Sequence, residues 1–444
     1  MTHWEKQIYV SKKQDGVYGC EAPHPRASPS TSLAGPCSCH FYTTQPSPTT
    51  TIQPFNMTTT SNLEVSLIET TPIEEVISSC PSEVESDTIS DDGGHFFEGA
   101  EKLLEVWFDA DDDPNAKSLR LIPYDEIEAL LEIAQCHILH FKTNGILDSY
   151  VLSESSMFIS DNRVIMKTCG TTKLLDSVER LLQLADKYAG LTKVANVYYS
   201  RKNFLKPDLQ PAIHQNFDSE VDHLDAFFEE GAAYCMGSLK EHRWYLYTMS
   251  MPQAPPAHPD HTLEICMTNI PDDTLAVYSK AVSADGPECT RLGGIDKLVP
   301  EGTLIHEELF DPVGYSMNGL LPDSDQYVTI HITPEPDFCY VSFETNQREE
   351  CLYRQTLKVL DCFKPREFLM TVFANDISKS GTETQLMLWN QDIPGYTRTS
   401  LQFLRLQYDT LVYAQFTQRQ FVGKKKPVFK KRRLVHGPGS DSDE

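Results

Sequence analysis

From about residue 99 to residue 416 the chain is a succession of short runs rich in Val, Ile, Leu, Tyr, Phe and Thr, closed by turn residues and only occasionally broken by a helical pattern. Runs of this kind read as strands. Cys136–Thr143 and Tyr150–Ile159 flank an Asn144-Gly145 turn, a strong hairpin signal. Further strands are predicted at Arg163–Thr168, Ala232–Ser238, Trp244–Ser250, Leu263–Thr268, Thr303–Phe310, Gly314–Asn318, Tyr327–Thr333, Tyr340–Glu344, Phe368–Asn375, Thr384–Asn390 and Leu404–Phe416. Helical spacing appears at Asp125–Gln135, Leu174–Tyr188, Ser219–Phe228, Asp273–Val282 and Glu349–Phe363. Gly99–Phe108 is ambiguous: Ala100, Leu103, Leu104 and Trp107 fit a helix, whereas Glu101, Leu103, Glu105 and Trp107 alternate as on a strand. Long antiparallel strands with a few helices predict an α+β sandwich.

Composition narrows the function classes. The 444 residues carry a formal net charge of −26, which argues against a general nucleic-acid binder and suits a site for a cation. No apolar run approaches the roughly 20 residues of a membrane span, and Met1-Thr-His-Trp-Glu-Lys lacks the apolar core of a signal peptide. The scattered cysteines then read as reduced thiols of a cytoplasmic protein. Residues 1–93 differ from the rest: Ser, Thr and Pro crowd Ala22–Pro54, and Asn62–Asp92 is acidic. Such a segment buries too little apolar surface to offset its ordering entropy, so a disordered extension is expected. The acidic Ser/Thr/Pro/Glu stretch has the composition of a degradation signal. Cys37-Ser-Cys-His40, with Cys20 and His24 upstream, has no standard zinc spacing, so no metal site is assigned. The tail at 421–444 runs from basic (Lys424–Arg433) to acidic (Ser440–Glu444). It reads as a solvated charge run, with a nuclear-import signal or a polyanion contact as the rival.

Tyr150-Val-Leu-Ser-Glu-Ser-Ser-Met-Phe158 is a strand that breaks at a polar elbow and resumes. The plain reading is a serine-rich turn. The alternative is chemical: a Ser155 hydroxyl can attack the preceding carbonyl and convert the Glu154–Ser155 amide to an ester. β-Elimination then cuts the chain and leaves dehydroalanine, which hydrolyses to a pyruvoyl ketone. Such a ketone forms a Schiff base with an amine and accepts the electrons of a departing carboxylate.

The flanks favour the second reading. The stretch resembles the self-cleavage site of eukaryotic S-adenosylmethionine decarboxylases. The resemblance continues through His95-Phe-Phe-Glu-Gly-Ala-Glu-Lys-Leu-Leu-Glu-Val-Trp107, Lys167-Thr-Cys-Gly-Thr-Thr172, Tyr199-Ser-Arg-Lys-Asn-Phe204, Gly231-Ala-Ala-Tyr-Cys-Met-Gly237, Gly314-Tyr-Ser-Met-Asn-Gly319 and His331-Ile-Thr-Pro-Glu-Pro336. It implies a decarboxylase domain over 94–420, cut between 154 and 155 into small and large chains that stay associated. The implied fold is a four-layer α/β/β/α sandwich of two large antiparallel sheets with helices outside. It also implies an internal duplication, which the sequence does not reveal. Family members make the aminopropyl donor for spermidine and spermine, and many animal members form homodimers.

Roles follow position by position. Ser155 matches the pyruvoyl precursor and Glu154 the new C-terminus. Ser316 matches the oxyanion donor of the acyl shift, and His331 the base of the elimination, a role suited to neutral imidazole. Cys169 matches the proton donor to the decarboxylated carbon. Phe97 and Phe310 are expected to sandwich adenine, and Glu335 to accept from the ribose diol. Glu98 lies near the site, and Glu154 also belongs to the substrate surroundings. Glu105, Asp260, Glu264 and Glu344 match a buried site for putrescine in animal members, with Lys167 and Thr262 in the same surroundings and Glu101 close by. Plant-type members replace parts of that site and need no activator; this chain keeps the acids, so the activated type is expected. Val313 and Tyr198 depart from the animal pattern, which has Cys and commonly Phe there. The rival reading is a catalytically dead paralogue that regulates an active partner; retention of Ser155, Cys169, Ser316 and His331 argues against it.

Overall fold

The computed structural model describes residues 96–109, 116–250, 255–335, 338–348 and 351–420. The expectations for the extension, its Cys20–His40 cluster and the charged tail lie outside the described residues. In the first half the elements are β1 (Lys102–Phe108), α1 (Tyr124–Ala134), β2 (Ile138–Thr143), β3 (Asp148–Leu152), β4 (Ser155–Ile159), β5 (Arg163–Thr168), α2 (Val178–Leu184), β6 (Val194–Lys202), α3 (Phe217–Leu224), β7 (Gly231–Gly237) and β8 (Arg243–Met249). The second half holds β9 (His261–Thr268), α4 (Asp272–Leu275), α5 (Gly286–Leu292), β10 (Leu304–Leu309), β11 (Tyr315–Leu320), β12 (Tyr327–Thr333), β13 (Tyr340–Thr345), α6 (Leu352–Phe363), β14 (Glu367–Asn375), α7 (Lys379–Asn390), β15 (Tyr396–Arg405) and β16 (Asp409–Gln418).

These strands form two eight-stranded antiparallel sheets, ordered β2-β3-β4-β5-β1-β6-β8-β7 and β10-β11-β12-β13-β9-β14-β16-β15. Adding eight to each strand number of the first order reproduces the second. The duplication that the sequence hides is therefore plain in the topology. Each sheet packs one face against its own helices. Leu104, Val106 and Phe108 join Ile127, Leu131, Leu181 and Leu224, and Leu263, Ile265, Ile330 and Val341 join Leu352, Val359, Phe363 and Leu388. The other faces meet each other through Trp244, Leu246, Tyr340 and Tyr413, and through Phe158, Ile165, Leu320 and Tyr327. This is the four-layer α/β/β/α sandwich.

Within the ambiguous Gly99–Phe108 the structure forms a strand over Lys102–Phe108, with Leu104 and Val106 turned to the helices and Glu101 and Glu105 between the sheets. Two predicted strands are corrected. Thr384–Asn390 is the second half of α7: Ser378 caps the helix by accepting from the Gly381 N–H at 3.3 Å, and Gly381, Thr384, Gln385 and Leu388 are its buried residues, a helical spacing. Leu404–Phe416 is a hairpin, because β15 and β16 pair with each other on either side of 406–408. β6 and α5 were not anticipated. The β6 residues from Tyr199 to Lys202 are buried on both faces, so no apolar alternation marks that strand.

Candidate active site

The two-residue loop Ser153–Glu154 joins β3 to β4, since Leu152 pairs directly with Ser155. Ser155 is buried and has φ +121°, a region L-residues rarely occupy. Alternation along β4 would turn it with Met157 towards the helices. Instead its hydroxyl reaches between the sheets, 3.5 Å from Glu101 Oε1 and 3.2 Å from His331 Nε2. The Glu154 carbonyl, which that hydroxyl would attack, accepts the Cys169 peptide N–H at 3.1 Å. Sequence reasoning missed this donor because it is a backbone group.

His331, on β12, is held from two sides. Its Nδ1 lies 2.5 Å from Glu101 Oε1, and its Nε2 lies 2.8 Å from Ser156 Oγ. Ser316 sits directly across from it on β11 and is buried. Burial would raise the Glu101 carboxyl, but Lys167 and His331 outweigh it and lower its pKa to about 2. Ser342 also donates to Glu101, at 2.9 Å. The Cys169 thiol is pushed well above its ordinary range by burial, with Glu101 adding to the effect and Lys102 opposing it. It is therefore a neutral thiol that carries a proton.

Phe97 packs on the turn after Cys169: a Cβ on Gly170 would lie 2.8 Å from the Phe97 ring. Gly99 abuts Thr333 and Tyr340, and the Phe96 and Phe338 rings meet at a tilt of 60° with centroids 4.7 Å apart. Residues 96–99 thus lie beside the ends of β12 and β13, two residues from half-buried Glu335. Phe310 follows β10, with its peptide N–H on the Gly314 carbonyl at 2.9 Å. Glu98 has a different occupation: its carboxylate accepts the N–H groups of Leu205 and Lys206 at 2.8 and 3.3 Å. It anchors the 205–206 loop.

Further along β1 the acids gather. Lys167 is buried among Glu344, Glu264 and Glu101, at 2.7, 3.5 and 3.6 Å. Burial alone would lower the lysine's pKa; the three carboxylates instead raise it well above its usual value. A cavity of about 60 Å³ lies between the sheets, lined by Glu105, Tyr198, Asp260, Thr262, Glu264 and Asp409 among others. Glu344 is held on Lys167 and does not line it. Asp409 was absent from the sequence-based set. Burial raises Asp409 to about 7, with Asp260 and Asp376 adding to it. Burial likewise raises Glu105 to about 7 against the opposing pull of Arg163, 3.6 Å away. Asp260 and Glu264 are also raised by burial. Tyr198 OH reaches Asp409 at 3.5 Å and accepts from Asn196 at 2.7 Å, so the departure from Phe belongs to the cavity.

A buried hydroxyl facing an imidazole that a carboxylate orients, inside a closed two-sheet sandwich, marks an enzyme with a built-in nucleophile. Residues 94–417 match the adenosylmethionine decarboxylase family. The S-adenosylmethionine decarboxylase proenzyme of Caenorhabditis elegans is 58% identical over 334 residues, covering 75% of this chain and 91% of the relative. The proenzyme of Xenopus laevis is 43% identical, covering 75% and 98%, and that of the plant Ipomoea nil is 38% identical, covering 68% and 83%. The chain belongs to the S-adenosylmethionine decarboxylase family of enzymes. Among the described residues no helix is long and apolar enough to cross a membrane.

Proposed function

We propose that the chain cuts itself between Glu154 and Ser155 and, with the pyruvoyl group so formed, decarboxylates S-adenosylmethionine to the aminopropyl donor for spermidine and spermine. The observation that carries this is Ser155: strained at φ +121°, with its hydroxyl beside His331 and the preceding carbonyl bonded to the Cys169 N–H. Attack of Oγ on the Glu154 carbonyl carbon forms the ester C–O bond and breaks the C–N bond, and the hydroxyl proton ends on the Ser155 nitrogen. The Cys169 N–H, with the Ser316 hydroxyl as a second donor, stabilises the oxyanion. His331 takes the Cα proton of Ser155, the Cβ–O bond breaks, and Glu154 leaves as the carboxylate of the small chain. Water then replaces the nitrogen as ammonia. The resulting ketone supplies an electron sink for loss of the substrate carboxylate.

Cys169 keeps its proton because burial disfavours the thiolate, and it delivers that proton to the substrate carbon. Phe97 and Phe310 bind adenine, Glu335 binds the ribose, and Glu98 acts indirectly by fixing the 205–206 loop. Intact mass and a denaturing gel test the reading. Wild type should give two chains, and Ser155→Ala one uncut, inactive chain. A wild-type protein that stays uncut yet decarboxylates would overturn the pyruvoyl mechanism.

The cavity supports activation by putrescine. Lys167 already serves Glu101, Glu264 and Glu344, whereas burial raises Glu105 and Asp409 to about 7 and raises Asp260 as well. A diamine dication would restore their charge. Lys167 joins the two regions, since Glu101 contacts His331 and Glu264 lines the cavity. Activation requires that ligand affinity differ between two states of this link.

A further inference from the structure

Asn318, on β11, is completely buried and uses all of its hydrogen-bonding capacity. Its Nδ2 donates to the Tyr150 carbonyl at 3.0 Å and to Ser149 Oγ at 3.1 Å, both on β3. Its Oδ1 accepts from Ser156 Oγ of β4 at 2.6 Å and from Thr329 Oγ1 at 2.9 Å. One side chain of the second sheet therefore grips both arms of the hairpin that carries the Glu154–Ser155 bond. The Tyr150 carbonyl can only accept, so the amide cannot turn over. Its oxygen must face Ser156, and the single Ser156 proton is committed to it. Ser156 Oγ then offers only lone pairs to His331 Nε2, 2.8 Å away. Nδ1 faces Glu101, a carboxylate held ionised by Lys167 and by the ring itself. The ring is thus held at both edges, with a Glu101 oxygen on Nδ1 and a Ser156 lone pair on Nε2.

We propose that Asn318 is a positioning residue for self-processing: it clamps the cleavage hairpin to the second sheet and, through Ser156, holds a proton on His331 Nε2. The proposal rests on the self-cleavage reading above. The ring can accept the Ser155 α-proton only after Nε2 has lost its own, so conversion of ester to cut chains should rise with pH. The charged groups about the ring are Glu101 and Lys167 of β5, 3.6 Å from Glu101. The phenol of Tyr340 on β13 and the thiols of Cys169 after β5 and Cys266 on β9 are kept neutral by burial. β4 and β11 bring hydroxyls and the Asn318 amide. Glu308 of β10 is paired with His140 at 2.8 Å.

The test follows cleavage of freshly made full-length chain on denaturing gels from pH 6 to 9, with hydroxylamine to reveal accumulated ester. Asn318→Ala frees the Ser156 proton for Nε2. Cleavage should slow about tenfold or more, ester should accumulate, and the midpoint of the pH rise should move to lower pH. Ser156→Ala removes the acceptor from Nε2 and should move the midpoint the same way; it decides the matter if Asn318→Ala does not fold. Wild-type rate and midpoint in folded Asn318→Ala would overturn the proposal. So would slower cleavage with an unmoved midpoint, which is the mark of packing alone. An uncut wild type would remove the self-cleavage reading and this proposal with it, whereas a normal wild type beside an unmoved variant removes only the clamp.

Discussion

The proposed self-cleavage turns on Ser155, whose backbone is held where a side chain is strained. A φ of +121° at a non-glycine residue costs on the order of 1–3 kcal/mol, and the surrounding ladders to β3 and β5 hold it there. Cutting the chain at its N-terminal side removes that constraint. Two uncut variants should therefore differ in stability: Ser155→Gly should exceed Ser155→Ala by about 1–2 kcal/mol, read from denaturant midpoints. Equal midpoints would show that Ser155 is not strained. His331→Ala should stall after the acyl shift and leave a hydroxylamine-sensitive ester, whereas spontaneous cutting at the wild-type rate would take the base role from His331. The serine elbow was legible in the sequence because the reacting atoms are local. The strain and the Cys169 N–H were not, since both depend on how β4 docks on β5.

At the scale of the element, β1 arranges the site like a ruler. Its approach places Phe97 beside the Cys169 turn, Glu101 on His331 and Glu105 in the cavity, so four residues, about 13 Å of strand, separate the Ser155–His331 pair from the acid pocket. The pocket predicts a pH signature. Glu105 and Asp409 have folded pKa values raised to about 7 from 4.5 and 3.8. The folded state binds their protons more tightly than the unfolded one, so this stabilisation is present below their unfolded values and is lost as pH rises through about 7. Melting temperature without ligand should fall from pH 5 to pH 8, and putrescine should restore more of it at pH 8 than at pH 5. A putrescine effect independent of pH would show that the dication does not sit on these carboxylates. Asp260→Asn with Glu264→Gln should abolish the response of turnover to putrescine; a wild-type enzyme indifferent to putrescine would make the cluster structural only.

Over the whole molecule, the duplicated sheets decide what a cut does. The proposed cleavage after Glu154 would put β1, β2 and β3 in the small chain, yet in the first sheet β1 lies between β5 and β6, and β3 pairs with β4. Such a small chain would be threaded through the sheet and could leave only if the sheet opened. The two chains should co-elute under native conditions and separate only at the urea concentration that unfolds the whole. Release of the small chain well below that concentration would contradict the interleaving. Deletion of residues 1–90 should leave cutting and turnover intact, because the family match begins at residue 94; loss of both would assign the extension a part in the fold.

The sequence by itself determined which residues carry reactive groups and, through alternation and turn chemistry, most of the strands that hold them, because those signals are local. It could not tell α7 from a strand, since burial on one face of Gly381–Leu388 exists only once β14 and β16 lie beneath it. Nor could it find Asp409, Asn318 or the double role of Lys167. Asn318 bonds residues 162 to 169 positions away, and Asp409 meets Tyr198 from 211 positions away. Only the face-to-face packing of two sheets, folded from the two halves of the chain, brings those groups within hydrogen-bonding reach and sets their charge by removing water.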